Sequence, residues 1–376
     1  MHILIAPNAF KNSISAAGAA RAIFRGLQQS GLDFRADLFP VADGGDGTAT
    51  LLEERLKAIS IPVSVANPLG AIIDTHFGWL EKEQIGIVEL ANASGLRLLN
   101  SSSYNPLIAN TRGTGQTILK AFELGAKEII LAIGGSATVD GGTGILTELG
   151  IRFLDSNQEI IRELPARLRN VKSIDTGRLD PRARNSKFTI LCDVSNPLLG
   201  ENGAARIFGP QKGAGPDDIL LLEEGLKNFC ECSQRLTGKN MNDLKYGGAA
   251  GGVAAGLATW LDARLVNGIR YFLQITSFEK LLKNADLVIT GEGRIDLQTL
   301  QGKAPMGVAE AAKEKKIPVC AMAGQIHDKD NRRLREYFGE LIEINPMPLD
   351  IQRAMLDVEK NLEHAGRMLG ARLKTI

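Results

Sequence analysis

Short apolar runs alternate with helix-spaced apolar stripes at both ends of this chain. Residues 3–6 (ILIA) form a run stopped by Pro7, the mark of a buried strand. Ala16, Ala20, Ile23 and Leu27 then recur at spacings of four, three and four, which predicts one apolar helix face. Ser13 or Ser15 would cap that helix, because a hydroxyl accepts from orphan N–H groups. A second strand is expected near 36–39 and a second helix over 49–57. The C-terminal part repeats the pattern with strand 286–290, helix 305–315, strand 318–323, helix 329–337 and strand 341–344. A last helix carries the stripe Ile351, Met355, Val358, Leu362, Ala365 and Leu369. Strands alternating with helices predict a parallel sheet with helices on both faces.

The middle is less regular. Segments 63–65, 73–79 and 85–90 read as neighbouring strands with antiparallel pairing open to them. Residues 114–124 read as a helix closed by Gly125, a favoured C′ residue. It feeds a strand at 128–133, and another strand falls at 188–192. Residues 247–259 are almost wholly small and read as a closely packed structural helix. The expected fold is therefore α/β: a Rossmann-like (flavodoxin-like) parallel-sheet domain with a second α/β domain inserted. The boundaries are set at 1–62 with 284–376 for the first domain and 63–283 for the second. The active site is expected in the cleft between them. A tandem arrangement is the alternative.

Composition changes little in this picture. The 376 residues suit roughly two domains at ~100–200 residues each. Net charge is +1, and no basic run is interleaved with aromatics, so a nucleic-acid partner is not expected. No run approaches the ~20 apolar residues that span a membrane, and the N-terminus lacks the charged and apolar regions of a signal peptide. A cytoplasmic protein, monomer or homodimer, with reduced cysteines is expected. Cys230 and Cys232 form a lone C-x-C with no partner pair for zinc.

Glycine is abundant, at 41 residues, and it clusters in polar loops. These are 7–13, 43–48 (DGGDGT), 133–144 (IGGSATVDGGTG), 193–214 and 286–305. The last opens with a strand, turns at Gly291 and Gly293, and then carries Glu292, Arg294, Asp296 and Lys303. Ligands in open α/β sheets bind beyond the carboxyl ends of strands, and charges lie there. In 133–144, the paired glycines Gly134, Gly135, Gly141 and Gly142 suit an anion-binding nest. Ser136, Thr138 and Thr143 add hydroxyls. No lysine follows the glycines as a P-loop requires, and the dinucleotide fingerprint is missing after the first strand. Asp43, Asp46, Asp140, Asp193, Glu292 and Asp296 all lie at strand ends or in glycine loops. Magnesium takes one or two such carboxylates plus phosphate oxygens, and phosphoryl transfer needs a carboxylate for the attacking hydroxyl and a cation. Lys11, Lys212, Arg294 and Lys303 are the candidate cations. Each group alone reads more simply as a solvated loop charge or a cap. The four histidines have no metal spacing, and His327 reads as a surface residue.

Taken together, 6–15, 41–48, 88–96 (VELANASGL), 111–116, 133–142, 193–214, 247–256 and 286–307 resemble, in order, the segments of the bacterial glycerate kinase family, of the glyoxylate- and galactarate-pathway type. The resemblance implies an ATP-dependent kinase that phosphorylates D-glycerate to 2-phosphoglycerate with Mg2+, on a fold unlike the P-loop kinases. Asn8 and Ala9 depart from a first loop that usually reads P-D-S-F-K. Asp46 stands where glutamate is common, and Val139 where asparagine is common. On this reading Asp193, Asp296 and Lys303 are catalytic, with Asp193 activating the hydroxyl. Lys11, Ser13 and Arg294 hold the glycerate carboxylate. Gly134, Gly135, Ser136, Thr138, Gly141, Gly142 and Lys212 hold the nucleotide phosphates, and Asp43 and Asp296 the metal. A phosphatase, a non-enzymatic anion binder and a hydroxy-acid dehydrogenase are the rival classes.

Overall fold

The structure, a computed structural model, describes residues 1–297, 299–345 and 350–375. Gln298, inside the stretch 286–305, lies outside the described residues. In chain order the strands are β1 (His2–Ile5), β2 (Arg35–Leu38), β3 (Ile59–Ala66), β4 (Ile72–Leu80) and β5 (Ile85–Glu89). They continue with β6 (Glu128–Ala132), β7 (Arg152–Leu154), β8 (Ser173–Asp175), β9 (Lys187–Cys192) and β10 (Arg264–Asn267). The last are β11 (Leu287–Ile295), β12 (Val319–Ile326) and β13 (Glu340–Glu343). The fold is mixed α/β, with helices between most of these strands.

The chain forms two compact units, 1–43 with 269–376 and 44–268. The apolar pattern set its boundaries elsewhere, at 62/63 and 283/284. The helix Thr48–Leu56 packs on β4 and β5 and so lies in the second unit.

The first unit holds a parallel sheet in the order β2-β1-β11-β12-β13. Numbered within the unit, that is 2-1-3-4-5, the flavodoxin-like order, whose ligand crevice lies where strands 1 and 3 part. Here those strands are β1 and β11. The helix Ala16–Gln29 starts where Ser15 Oγ accepts from Gly18 N at 3.1 Å. It lies against the helix Val358–Leu373, and Ile23, Leu27, Leu362, Ala365 and Leu369 join Ile3, Ile5 and Ile289 in one core. The approach is close enough that a Cβ on Gly26 would sit 2.1 Å from the carbonyl oxygen of Glu363. Two expected helices are shorter than the pattern implied. Only Arg332–Arg335 is helical within 329–337, and the C-terminal stripe is split into Ile351–Leu356 and Val358–Leu373.

The second unit holds a six-stranded sheet in the order β10-β9-β6-β5-β4-β3. β10, β9, β6 and β5 are parallel, and β3, β4 and β5 pair antiparallel. Pro62 sits in β3, at the edge of the sheet, where a missing N–H is tolerated. The small-residue segment is a helix only over Val253–Trp260. Gly251 and Gly252 have φ of +68° and +91°, values that end a helical run and favour glycine. A Cβ on Gly251 would lie 2.1 Å from Thr138 O, and one on Gly256 would lie 2.0 Å from Gly141 O. The smallness of this segment is thus a close backbone approach to loop 138–141. All four cysteines are free thiols in buried positions.

Candidate active site

In the first unit the carboxyl ends of β1 and β11 gather charge. Asn8 N donates to Gly291 O at 2.8 Å, which ties the first loop to β11. Lys11 is exposed and Ser13 half-buried. Asp43 Oδ2 accepts from Asn8 Nδ2 at 3.2 Å and from Ala304 N at 3.3 Å. The second bond caps the helix Ala304–Glu314, where a carboxylate is favoured by the helix dipole. An amide at position 8 can donate to Asp43, which a second carboxylate there could not. Glu292 is buried on β11, and Thr299 Oγ1 donates to its Oε1 at 2.9 Å. Burial pushes the Glu292 carboxyl up to about 7; the Lys303 ammonium and the Thr299 bond pull it back, while Asp43 and Asp296 push it further. Arg294 is exposed and pairs with Asp296, Nε to Oδ2 at 3.1 Å. Lys303 is half-buried at the start of the helix. Asp43, Glu292, Asp296 and Lys303 therefore form one electrostatic group, with His327 exposed beyond it.

In the second unit Lys212 is 2% exposed, and Nζ donates to Ser136 Oγ and Thr138 O, each at 2.7 Å. Burial lowers its pKa to about 7; the charges of Asp140 and Asp193 hold it up. Asp193 is half-buried just after β9. The Thr138 hydroxyl is buried with no hydrogen-bond partner among the described residues. Gly134 N donates to Gly44 O at 2.9 Å.

In the second half of 133–144 the backbone donors expected to face phosphate are engaged within the chain. Asp140 is fully buried, and its carboxylate accepts from Thr111 N (2.9 Å), Thr111 Oγ1 (2.8 Å), Gly142 N (3.0 Å) and Gly144 N (3.1 Å). Gly141 N donates to Gly251 O at 2.9 Å. The anion in this nest is the chain's own side chain. Gly141 and Gly142 have φ of +64° and +77°, so they are glycines for backbone reasons. Gly134 N is likewise taken by Gly44 O, which leaves Gly135, Ser136 and Thr138 as the candidate phosphate donors beside Lys212.

Glu89, in the segment 88–96, has no role assigned from sequence. It ends β5, is 3% exposed, and accepts from Gly47 N at 2.7 Å and Ala49 N at 2.9 Å. Burial and a bond to Asp46 push its carboxyl up to about 8, against the two backbone donations. The available signal was an acid ending an otherwise apolar strand.

Among the described residues no group of three or more His, Cys, Asp or Glu is arranged to hold a metal ion.

Charged loops thus lie beyond the carboxyl ends of parallel strands, where open α/β sheets bind small-molecule ligands. The chain belongs to the glycerate kinase family, whose profile matches residues 3–374. It is 41% identical to the glycerate kinase of Halalkalibacterium halodurans over 365 residues, covering 97% of this chain and 96% of that one. It is 40% identical to the glycerate 2-kinase of Escherichia coli, covering 87% and 86%. A crystal structure provisionally named glycerate kinase 2, from Salmonella typhimurium LT2, superposes with a TM-score of 0.82 at 36% identity, covering 100% of this chain and 98% of that one.

Proposed function

We propose that this kinase transfers the γ-phosphoryl group of ATP to the 2-hydroxyl of D-glycerate, with Mg2+. The observation that carries the reading is a lysine buried against a glycine loop, with Lys212 Nζ bonded to Ser136 and Thr138. Burying an ammonium is costly unless it has work to do, and a polyphosphate is the ligand that such a loop suits. Gly135, Ser136 and Thr138 face the phosphates in this reading, while Gly134 holds the loop to Gly44. Asp193, close enough to Lys212 to perturb its charge, takes the proton of the attacking hydroxyl. Lys303 steadies negative charge on the transferring group. Lys11, Ser13 and Arg294 hold the glycerate carboxylate, for which a guanidinium has matching geometry.

Asp43 and Asp296 are the oxygen donors that would hold Mg2+, and their hard carboxylates fit that ion. Bound there, Mg2+ supplies charge neutralisation at the phosphates. The 2-position is carried by the likeness to a protein named glycerate 2-kinase.

The test is ADP release coupled to D-glycerate, with the product identified by NMR. ADP that forms only with glycerate, and a 2-phospho product, is the expected result. A 3-phospho product would keep the kinase and replace the regiochemistry. Faster turnover of another small hydroxy acid would replace the substrate. No glycerate-dependent ADP from folded protein would overturn the reading.

A further inference from the structure

The turn 44–48 and the loop 134–137 of the second unit are built against each other. Gly134 N donates to Gly44 O at 2.9 Å, and a Cβ on Gly134 would lie 2.4 Å from Gly45 Cα. On the other side, Leu96 N donates to Gly135 O and Ala137 N donates to Ser94 O, each at 2.9 Å. Loop 134–137 is therefore gripped by the turn 44–46 and by the segment 94–96. Glu89 belongs to both grips. It precedes 90–96 in the chain, and its two carboxylate oxygens accept from Gly47 and Ala49 across the N-terminus of the helix Thr48–Leu56. The turn is stiffened from within by Thr48, whose Oγ1 accepts from Gly44 N at 3.1 Å and donates to Gly45 O at 2.6 Å. Asp46 bonds Glu89 and also pairs with Arg97 at 3.2 Å.

We propose that Glu89 is a positioning residue for nucleotide binding, locking turn 44–48, which holds Gly134 N, and thereby fixing where Gly135 and Ser136 present their donors. The inference rests on the reading of loop 134–138 as the phosphate loop. Glu89 touches no substrate; it acts through backbone it does not share with the ligand. A group that only stabilised the fold would lower the melting temperature without favouring one substrate over the other. A group that sets the phosphate loop acts on ATP selectively.

The experiment uses the full chain carrying Glu89→Gln, which keeps the shape and loses one of the two acceptors. ATP and D-glycerate are varied separately, and ATP binding is also titrated by calorimetry without glycerate. The expected result is an ATP KM and Kd weakened by about tenfold, short of the ~10²-fold that a 1 Å misplacement can cost, with the glycerate KM within about twofold of wild type. Thr48→Val is the second variant, in case Glu89→Gln does not fold. It should weaken ATP in the same selective way, while Thr48→Ser, which keeps the hydroxyl, restores it. Unchanged ATP affinity in the folded variants, or equal loss for both substrates, would overturn the inference. A wild type that binds ATP but does not turn over glycerate would sink the substrate reading alone, and the calorimetric comparison would still decide the role of Glu89. A wild type that does not bind ATP would sink both.

Discussion

Lys212 is the residue on which the proposed chemistry turns, and its burial makes it testable in two ways. Lys212→Met keeps the stem and removes the charge, so turnover should fall by at least ~10², the scale of losing one preorganised donor; a variant with near-normal ADP release would remove Lys212 from the site. The second test is thermodynamic. Its pKa falls from an ordinary 10.5 to about 7 on folding. Between those values the unfolded chain holds a proton that the folded chain lacks, so this group's contribution to stability rises with pH across that window. The melting temperature of wild type relative to Lys212→Met should therefore climb from pH 7 to pH 10. Asp193→Asn should cut kcat by about 10² or more if Asp193 is the base, and wild-type turnover would exclude it. Residues of this kind were legible because a charge inside a glycine-rich loop is conspicuous. Glu89 was not, because an acid at the end of a strand has the same appearance whether it faces solvent or a helix N-terminus. Paired glycines likewise signal an unusual backbone, but Gly142 donating to Asp140 at 3.0 Å rather than to a ligand is a fact of tertiary structure.

At the scale of elements, the crossing of Ala16–Gln29 on Val358–Leu373 makes a sharp prediction. Gly26 meets Glu363 O at 2.1 Å and Gly366 meets Ile23 O at 2.6 Å, measured from an added Cβ. Gly26→Ala must push the helices apart, and overpacking of this sort costs about 1–3 kcal/mol. Denaturant unfolding should show that loss, and an unchanged midpoint would mean that the helices separate freely. The apolar period found these two helices, since four-three spacing reports a buried face directly. It could not see the break at Asp357, because the stripe runs through without changing phase. It misjudged 247–252 for the opposite reason. Alanine and glycine alternate there in a way compatible with a helix, and only the positive φ of Ala250, Gly251 and Gly252 shows that the chain turns instead. The parallel strands of the first unit were legible as apolar runs, but their 2-1-3-4-5 order was not, since order depends on crossovers that leave no local mark.

At the scale of the whole molecule, burial holds up four carboxyls among the described residues: Glu53 and Glu292 to about 7, Glu89 to about 8, and Asp140 above its ordinary value. The three glutamates start from an ordinary 4.5, so the folded chain retains protons that the unfolded chain releases as pH rises. Their stabilising contribution is full below about pH 4.5 and is lost as pH climbs through 7 to 8. The melting temperature should fall from pH 5 to pH 8, and Glu53→Gln should make that fall shallower. A slope unchanged by Glu53→Gln would mean that its carboxyl titrates normally in the folded chain.

The buried thiols have a practical consequence. Cys320 lies in the first unit, and Cys192, Cys230 and Cys232 lie in the second. Burial raises the pKa of each, and a thiol kept protonated is a poor nucleophile. An alkylating reagent therefore reacts only when the chain opens around a sulfur. Mass spectrometry of timed alkylation would follow the two units separately, with one label clocking the opening of the first and three clocking the second, and no probe would have to be engineered into the protein.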